Sequence, residues 1–112
     1  MVTAQYYHKM FDAQIVESIQ SDGQPRIDLD INGLTVFIAR VPPEAIIPAA
    51  PVNPHLGLDH FGLRVDNLEE AVVELKRRGA EFAVEPRTIR PGVKIAFVRG
   101  PDDVRIELLE RT

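Results

Sequence analysis

Cysteine is missing from all 112 residues of the chain. Its absence excludes a disulfide framework, a thiolate zinc site and a cysteine nucleophile, so a metal held here needs imidazole, carboxylate or water as ligands. The N-terminus lacks a basic flank followed by an apolar run, and no apolar stretch approaches the roughly 20 residues that cross a bilayer. A cytoplasmic protein without a membrane span is expected. Positive charge is not gathered either: 13 Lys and Arg are interspersed among 17 Asp and Glu, for a net charge of −4. No basic stripe is left for nucleic acid or an anionic membrane, and small neutral or anionic metabolites remain as ligands. The length supports one small domain with a single core, and an apolar fraction of 45% is ordinary for one.

What is present is a succession of short elements. Thr3 is placed to cap a helix carrying Tyr6, Tyr7, Met10 and Phe11 at helical spacing and ending near Asp12. Ala13 to Ile19 reads as a strand. After the Ser21-Asp22-Gly23 turn, Arg26 to Ile31 alternates polar and apolar without a fault, and Asn32-Gly33 returns the chain as a hairpin through Leu34 to Val41. Five prolines between Pro42 and Pro54 make that stretch a connector. A strand from Leu58 to Val65 leads to Asn67, which caps a helix with Glu70 three residues on, running to about Arg78 and stopping at Gly79. Leu68, Ala71, Val72 and Leu75 share its apolar face. Phe82 to Val84, Val93 to Val98 and, after the Gly100-Pro101-Asp102-Asp103 turn, Val104 to Glu110 complete a βαβββ order.

The chain reads as one unit written twice. Phe11 to Val16 lies over Arg78 to Ala83, and Leu34 to Arg40 lies over Val104 to Glu110. Before the first of these matches the second half has about ten residues more than the first, which is one strand with its turn. The expected organisation is a truncated αβββ first module over residues 1–41, a proline-rich connector over 42–56 and a complete βαβββ module over 57–112, together making one domain.

Two strands of the second half each set one potential ligand on the face opposite their apolar residues: His60 in Asp59-His60-Phe61-Gly62-Leu63-Arg64-Val65, and Glu107 in Val104-Arg105-Ile106-Glu107-Leu108. Together with Asn67-Leu68-Glu69-Glu70-Ala71, Leu75, Gly79, Pro86, Gly92, Ala96-Phe97 and Gly100-Pro101-Asp102, these segments resemble the vicinal oxygen chelate superfamily. That group includes glyoxalase I, methylmalonyl-CoA epimerase, extradiol dioxygenases, fosfomycin-resistance thiol transferases and the bleomycin-binding proteins. The resemblance implies an α+β fold of paired βαβββ modules around a cavity, here with the first module lacking its opening strand, and commonly a homodimer. It also implies that His60 and Glu107 are metal ligands and catalytic residues, and that the metal is divalent zinc, nickel, manganese, cobalt or iron(II). In the first module the opening strand and its ligand have no counterpart in residues 1–12, through loss of the strand or a trimmed start, and superposing the hairpins puts Phe37 where a second carboxylate belongs. An identical partner chain carries the same gaps.

The two-residue turn sets Ile31 opposite Leu34, Leu29 opposite Val36 and Ile27 opposite Ile38 on one face, so that Arg26, Asp28, Asp30, Thr35, Phe37 and Ala39 share the other. In the second half Val104, Ile106 and Leu108 are expected beneath the helix, with Arg105, Glu107 and Leu109 on the far side. His60, Gly62 and Arg64 share a face; alternation puts Asp59 on the covered one, while its place at the strand entry allows it to stay near solvent. Arg64, Arg26 and Asp28 are candidates to read an anionic or hydroxylated substrate, with Phe37 as an apolar wall; charged residues on an outer strand face are also ordinarily just solvated. His8 on the first helix and His55 in the connector are substitute ligands if the fold brings them close. Three functions compete: a metal-dependent lyase, isomerase or dioxygenase acting on a small metabolite; a metal-free binding module resembling the bleomycin-resistance proteins; and a structural or partner subunit whose open sheet edge is covered by another chain.

Overall fold

The computed structural model describes residues 1–42, 44–48 and 56–112. Most of the connector, with His55, lies outside the described residues. The chain divides into two compact units, Met1–Pro48 and Ala49–Thr112.

In the first unit, helix α1 (Val2–Phe11) precedes an antiparallel sheet of β1 (Gln14–Ile19), β2 (Pro25–Ile31) and β3 (Leu34–Ile38), in the order β1-β2-β3. Thr3 is not the N-cap. The helix begins one residue before it, with Met1 in the cap position, and it ends where Asp12 turns left-handed at φ 57°. Ala4, Tyr7 and Met10, spaced three apart, bury one stripe, and Leu29 and Ile31 of β2 are buried from the sheet side. Burial pushes the Tyr7 phenol up from its ordinary value. The hairpin forms in the expected register, Ile31 with Leu34, Leu29 with Val36 and Ile27 with Ile38. Asn32 and Gly33 both take positive φ there, which is the twist a two-residue turn needs. β3 is shorter than the alternation implied and stops at Ile38.

The second unit runs β4 (His60–Arg64), α2 (Leu68–Arg77), β5 (Glu81–Arg90), β6 (Val93–Arg99), a 3-10 turn over Pro101–Asp103 and β7 (Arg105–Arg111). Its sheet has the order β4-β7-β6-β5, with β4 and β7 parallel and the other pairs antiparallel. β5 is far longer than the Phe82–Val84 strand expected. It tolerates Pro86 because it is the sheet's edge and the register shifts between Val84 and Arg87, where no ladder donor is needed.

Helix α2 has its expected cap: Asn67 Oδ1 accepts from the Glu70 N–H at 3.0 Å. Leu68, Val72 and Leu75 are buried on its inner face, above the β6 and β7 face that carries Ala96, Val98, Ile106 and Leu108. Val104 is not among them; it precedes β7 and stays 39% exposed. The alternation continues one step further than the apolar residues do, and brings Glu110 inside at 7% exposure. Its Oε1 accepts from the Leu68 N–H at 2.7 Å. This carboxylate is therefore buried against one of the unpaired donors at the positive end of α2.

At the other end of α2, Arg77 and Arg78 both donate to Glu74, and the Arg77 bond first, then the Arg78 bond, hold its carboxyl down at about 2. A folded value below the unfolded 4.5 means that the pair's contribution is complete above about pH 4.5 and fades as pH falls toward 2. The group is exposed, so the effect is small. The wild type and Glu74→Gln should differ in urea midpoint at pH 6 and converge by pH 2; a gap that does not narrow would contradict this.

Candidate functional site

Parallel pairing of β4 with β7 sets Gly62 beside Glu107 and His60 beside Arg105, while the antiparallel β6–β7 ladder puts Phe97 opposite Glu107. Period-two alternation sends His60, Glu107 and Phe97 to the sheet face away from α2. His60 Nε2 lies 3.4 Å from Glu107 Oε2, with the imidazole 34% and the carboxylate 20% exposed. Gly62 leaves the space beside the Glu107 carboxylate open. A methyl group there would sit 3.5 Å from Glu107 Oε1, and any longer side chain would project over the carboxylate.

Two features of this pair suit a metal. Bonds of about 2.0–2.2 Å at a tetrahedral angle hold two donor atoms about 3.3–3.5 Å apart, whereas a direct N–H···O bond is normally about 2.7–3.2 Å. The separation of 3.4 Å is compatible with the first geometry, and also with an ion pair between a protonated ring and Glu107. The second feature is at the far side of the ring, where His60 Nδ1 lies 2.6 Å from Asp59 Oδ2. An ionised carboxylate only accepts, so Nδ1 donates, and in the neutral ring the lone pair is then on Nε2, on the Glu107 side. Among the described residues no group of three His, Asp or Glu side chains converges on one point. Among the described residues, His60 and Glu107 are thus the two donors this arrangement offers to a metal.

Asp59 and Arg105 were not among the site residues expected. Strict alternation had put Asp59 on the covered face, but β4 begins only at His60, so Asp59 is a strand entry that stays near solvent, the other reading its position allowed, and its carboxylate meets the His60 ring. Arg105 Nη1 donates to the same Asp59 oxygen at 2.9 Å, and its guanidinium carbon stands 4.4 Å from the centre of the Phe97 ring. The Phe97 ring also meets the His60 ring edge-on, at 5.0 Å and 86°. Arg105 had a visible signal, since it shares the Glu107 face of its strand. Asp59 had none beyond its place beside His60.

Arg64 lies on the His60 face of β4, exposed and in register with Leu109. Four strand residues from His60 are about 13 Å along β4, so the guanidinium must reach back to act at the same point. The remaining expected residues form a second cluster, in the first unit. Phe37, 68% exposed, pairs across the ladder with Asp28. Arg26 Nε donates to Asp28 Oδ1 at 3.0 Å, and the Arg26 guanidinium stacks on Phe37 at 4.6 Å. This cluster repeats the other with the strands exchanged. In the second unit the carboxylate is on the last strand and the phenyl on its neighbour, Glu107 opposite Phe97; in the first the phenyl is on the last strand and the carboxylate on its neighbour. His8 is engaged locally, its Nδ1 2.9 Å from the Ala13 carbonyl oxygen.

A βαβββ unit with an imidazole on its first strand and a carboxylate on its last is the arrangement the sequence resemblance implied. The family model described as Glyoxalase/Bleomycin resistance protein/Dioxygenase superfamily matches residues 2–108. The chain belongs to this superfamily. Among solved structures it is similar to a glyoxalase family protein from Enterococcus faecalis, at 27% identity and a TM-score of 0.72, covering 96% of this chain and 86% of that one. An antibiotic binding protein from Streptomyces sp. CB03234 shares the fold at a TM-score of 0.72 and 17% identity, over 98% of this chain and 84% of that one. A curated relative, a probable chloroplastic lactoylglutathione lyase of Arabidopsis thaliana, is 39% identical over 56 residues, which are 49% of this chain and 16% of the relative. The chain therefore matches about one sixth of that relative's length. Glyoxalase-family members commonly use divalent metals, bind small ligands and form dimers. No helix among the described residues is long and apolar enough to cross a membrane.

Proposed function

We propose that this superfamily protein acts on a small metabolite at a divalent-metal centre held by His60 and Glu107, in a reaction of the lyase, isomerase or dioxygenase type. The observation that carries the reading is the 3.4 Å separation of His60 Nε2 from Glu107 Oε2, with the ring's other nitrogen occupied by Asp59. A divalent ion there supplies a Lewis acid for adjacent oxygens of the substrate, the need these reaction types share. Zinc, nickel, manganese, cobalt and iron(II) all accept one imidazole and one carboxylate with the balance from oxygen. Arg64, on the same face of β4, is assigned to an anionic group of the substrate. The protein is read as a cytoplasmic homodimer.

Calorimetric titration of metal-stripped protein with each of these ions tests the reading. One ion per chain is expected, on a species of twice the chain mass by light scattering. No heat of binding with any ion at saturating concentration would sink it.

One observation favours a second reading, a metal-free binding module. Superposing the two halves of the sequence sets Phe37 at the Glu107 position, and the Arg26–Asp28–Phe37 cluster offers a stacked ring and paired charges to an organic ligand. Ligand-induced thermal stabilisation that survives a chelator would mark this reading; complete loss of binding in EDTA would count against it.

A further inference from the structure

We propose that Asp59 and Arg105 are positioning residues that present the Nε2 lone pair of His60 to the metal, a role that rests on the metal-centre reading and specifies how the chain prepares that ligand. Both residues act at one atom. Asp59 Oδ2 lies 2.6 Å from His60 Nδ1 and accepts from Arg105 Nη1 at 2.9 Å. The chain of contacts continues through Phe97, only 7% exposed, whose ring carries the Arg105 guanidinium on one side at 4.4 Å and meets the His60 ring at 5.0 Å. The imidazole is thus held at Nδ1 by a charge, along its edge by a buried ring and at Nε2 beside Glu107.

The physical consequence is a choice of tautomer. A neutral imidazole in water carries its proton on either nitrogen, and only the form protonated at Nδ1 leaves Nε2 free to bind a metal. An ionised Asp59 selects that form, because it can accept but not donate. Carboxylates behind metal-bound imidazoles both set the tautomer and raise ligand basicity, and their loss typically weakens metal binding by about 10- to 100-fold. Arg105 contributes by holding the carboxylate. Asp59 precedes the strand, and the guanidinium that donates to it is itself stacked on a buried ring. Position 105 is also the parallel-register neighbour of His60, which fixes both ends of the relay to the same rung of the β4–β7 pair.

Two measurements on the intact chain test this. Long-range proton–nitrogen correlation spectra of metal-stripped protein, recorded with the ring neutral, should show the His60 proton on Nδ1. In Asp59→Ala it should move to Nε2, and in Asp59→Asn, which keeps an accepting oxygen without charge, it should remain largely on Nδ1. Zinc titration should give about 10- to 100-fold weaker binding for Asp59→Ala and a smaller loss for Asp59→Asn. Arg105→Met should weaken binding in the wild-type background but add little to Asp59→Ala, since it acts through that carboxylate.

A His60 proton found on Nε2 in the wild type, or unmoved by Asp59→Ala, would overturn the proposal for Asp59. Equal losses from Arg105→Met in both backgrounds would overturn it for Arg105. If the tautomer switches as expected but the wild type takes up no metal, the orienting relay stands and the metal-centre reading fails.

Discussion

His60→Ala and Glu107→Ala should each weaken zinc binding by more than about 100-fold, beyond the range expected for loss of a partner that merely orients a ligand. The reason is the number of donors. The described residues contribute one imidazole and one carboxylate to the candidate centre, so either substitution leaves a single ligand among them. Glu107→Gln is the sharper variant. It preserves the shape beside Gly62 but removes the negative charge that offsets the cation, and affinity should fall almost as far as with alanine. Thermal unfolding of metal-stripped protein should change little in any of the three, because both side chains remain partly exposed on the face away from α2. Calorimetric affinities unchanged by both alanine variants would mean that any ion taken up binds elsewhere.

A second large effect is expected on the opposite face of the same strand. Ile106 has no exposed surface, and Leu108 has 1%. They lie between β6 and α2, where Ala96, Val98, Leu68, Val72 and Leu75 close around them, and β7 is itself an inner strand between β4 and β6. Little can collapse into the space left by a shorter side chain there. Ile106→Ala should therefore cost about 2–5 kcal/mol, and Ile106→Val about 0.5–1.5 kcal/mol. For a domain whose total stability is about 5–15 kcal/mol, the alanine variant forfeits a large share. Urea denaturation reads this as a lower midpoint at unchanged slope. A loss below about 1 kcal/mol for the alanine variant would contradict the packing described.

The two predictions concern adjacent residues whose fates were readable from alternation alone. Ile106 and Glu107 sit one step apart on a strand, so one enters the core and the other faces the site, and the same period sorted His60 from Phe61. The Asn32-Gly33 hairpin was equally legible, because both residues tolerate positive φ and so set the register of every pair behind them. Helix α2 announced itself by its Asn67 cap and its apolar stripe. What failed did so where local pattern is not the deciding force. Thr3 could have capped α1, yet the helix gains another turn residue before it. β5 outran its expected end because pairing with β6 continues across a bulge at Pro86, a gain the local sequence does not display. Val104 looked like a core residue by period, but the strand begins after it.

By itself, the sequence determined the order of elements, the hairpin register and the faces on which His60, Glu107 and Phe37 lie, because these follow from side-chain periodicity and turn chemistry within a few neighbouring residues. Only the tertiary structure decided what those residues meet. Parallel pairing of β4 with β7 joins positions more than forty residues apart and brings His60 Nε2 to 3.4 Å from Glu107. The same pairing lets Asp59 lie between His60 and Arg105, and the packing of α2 over the sheet turns Glu110, polar by sequence, into a buried acceptor for the Leu68 N–H. Such contacts depend on distances across strands rather than along the chain, and no local pattern encodes them.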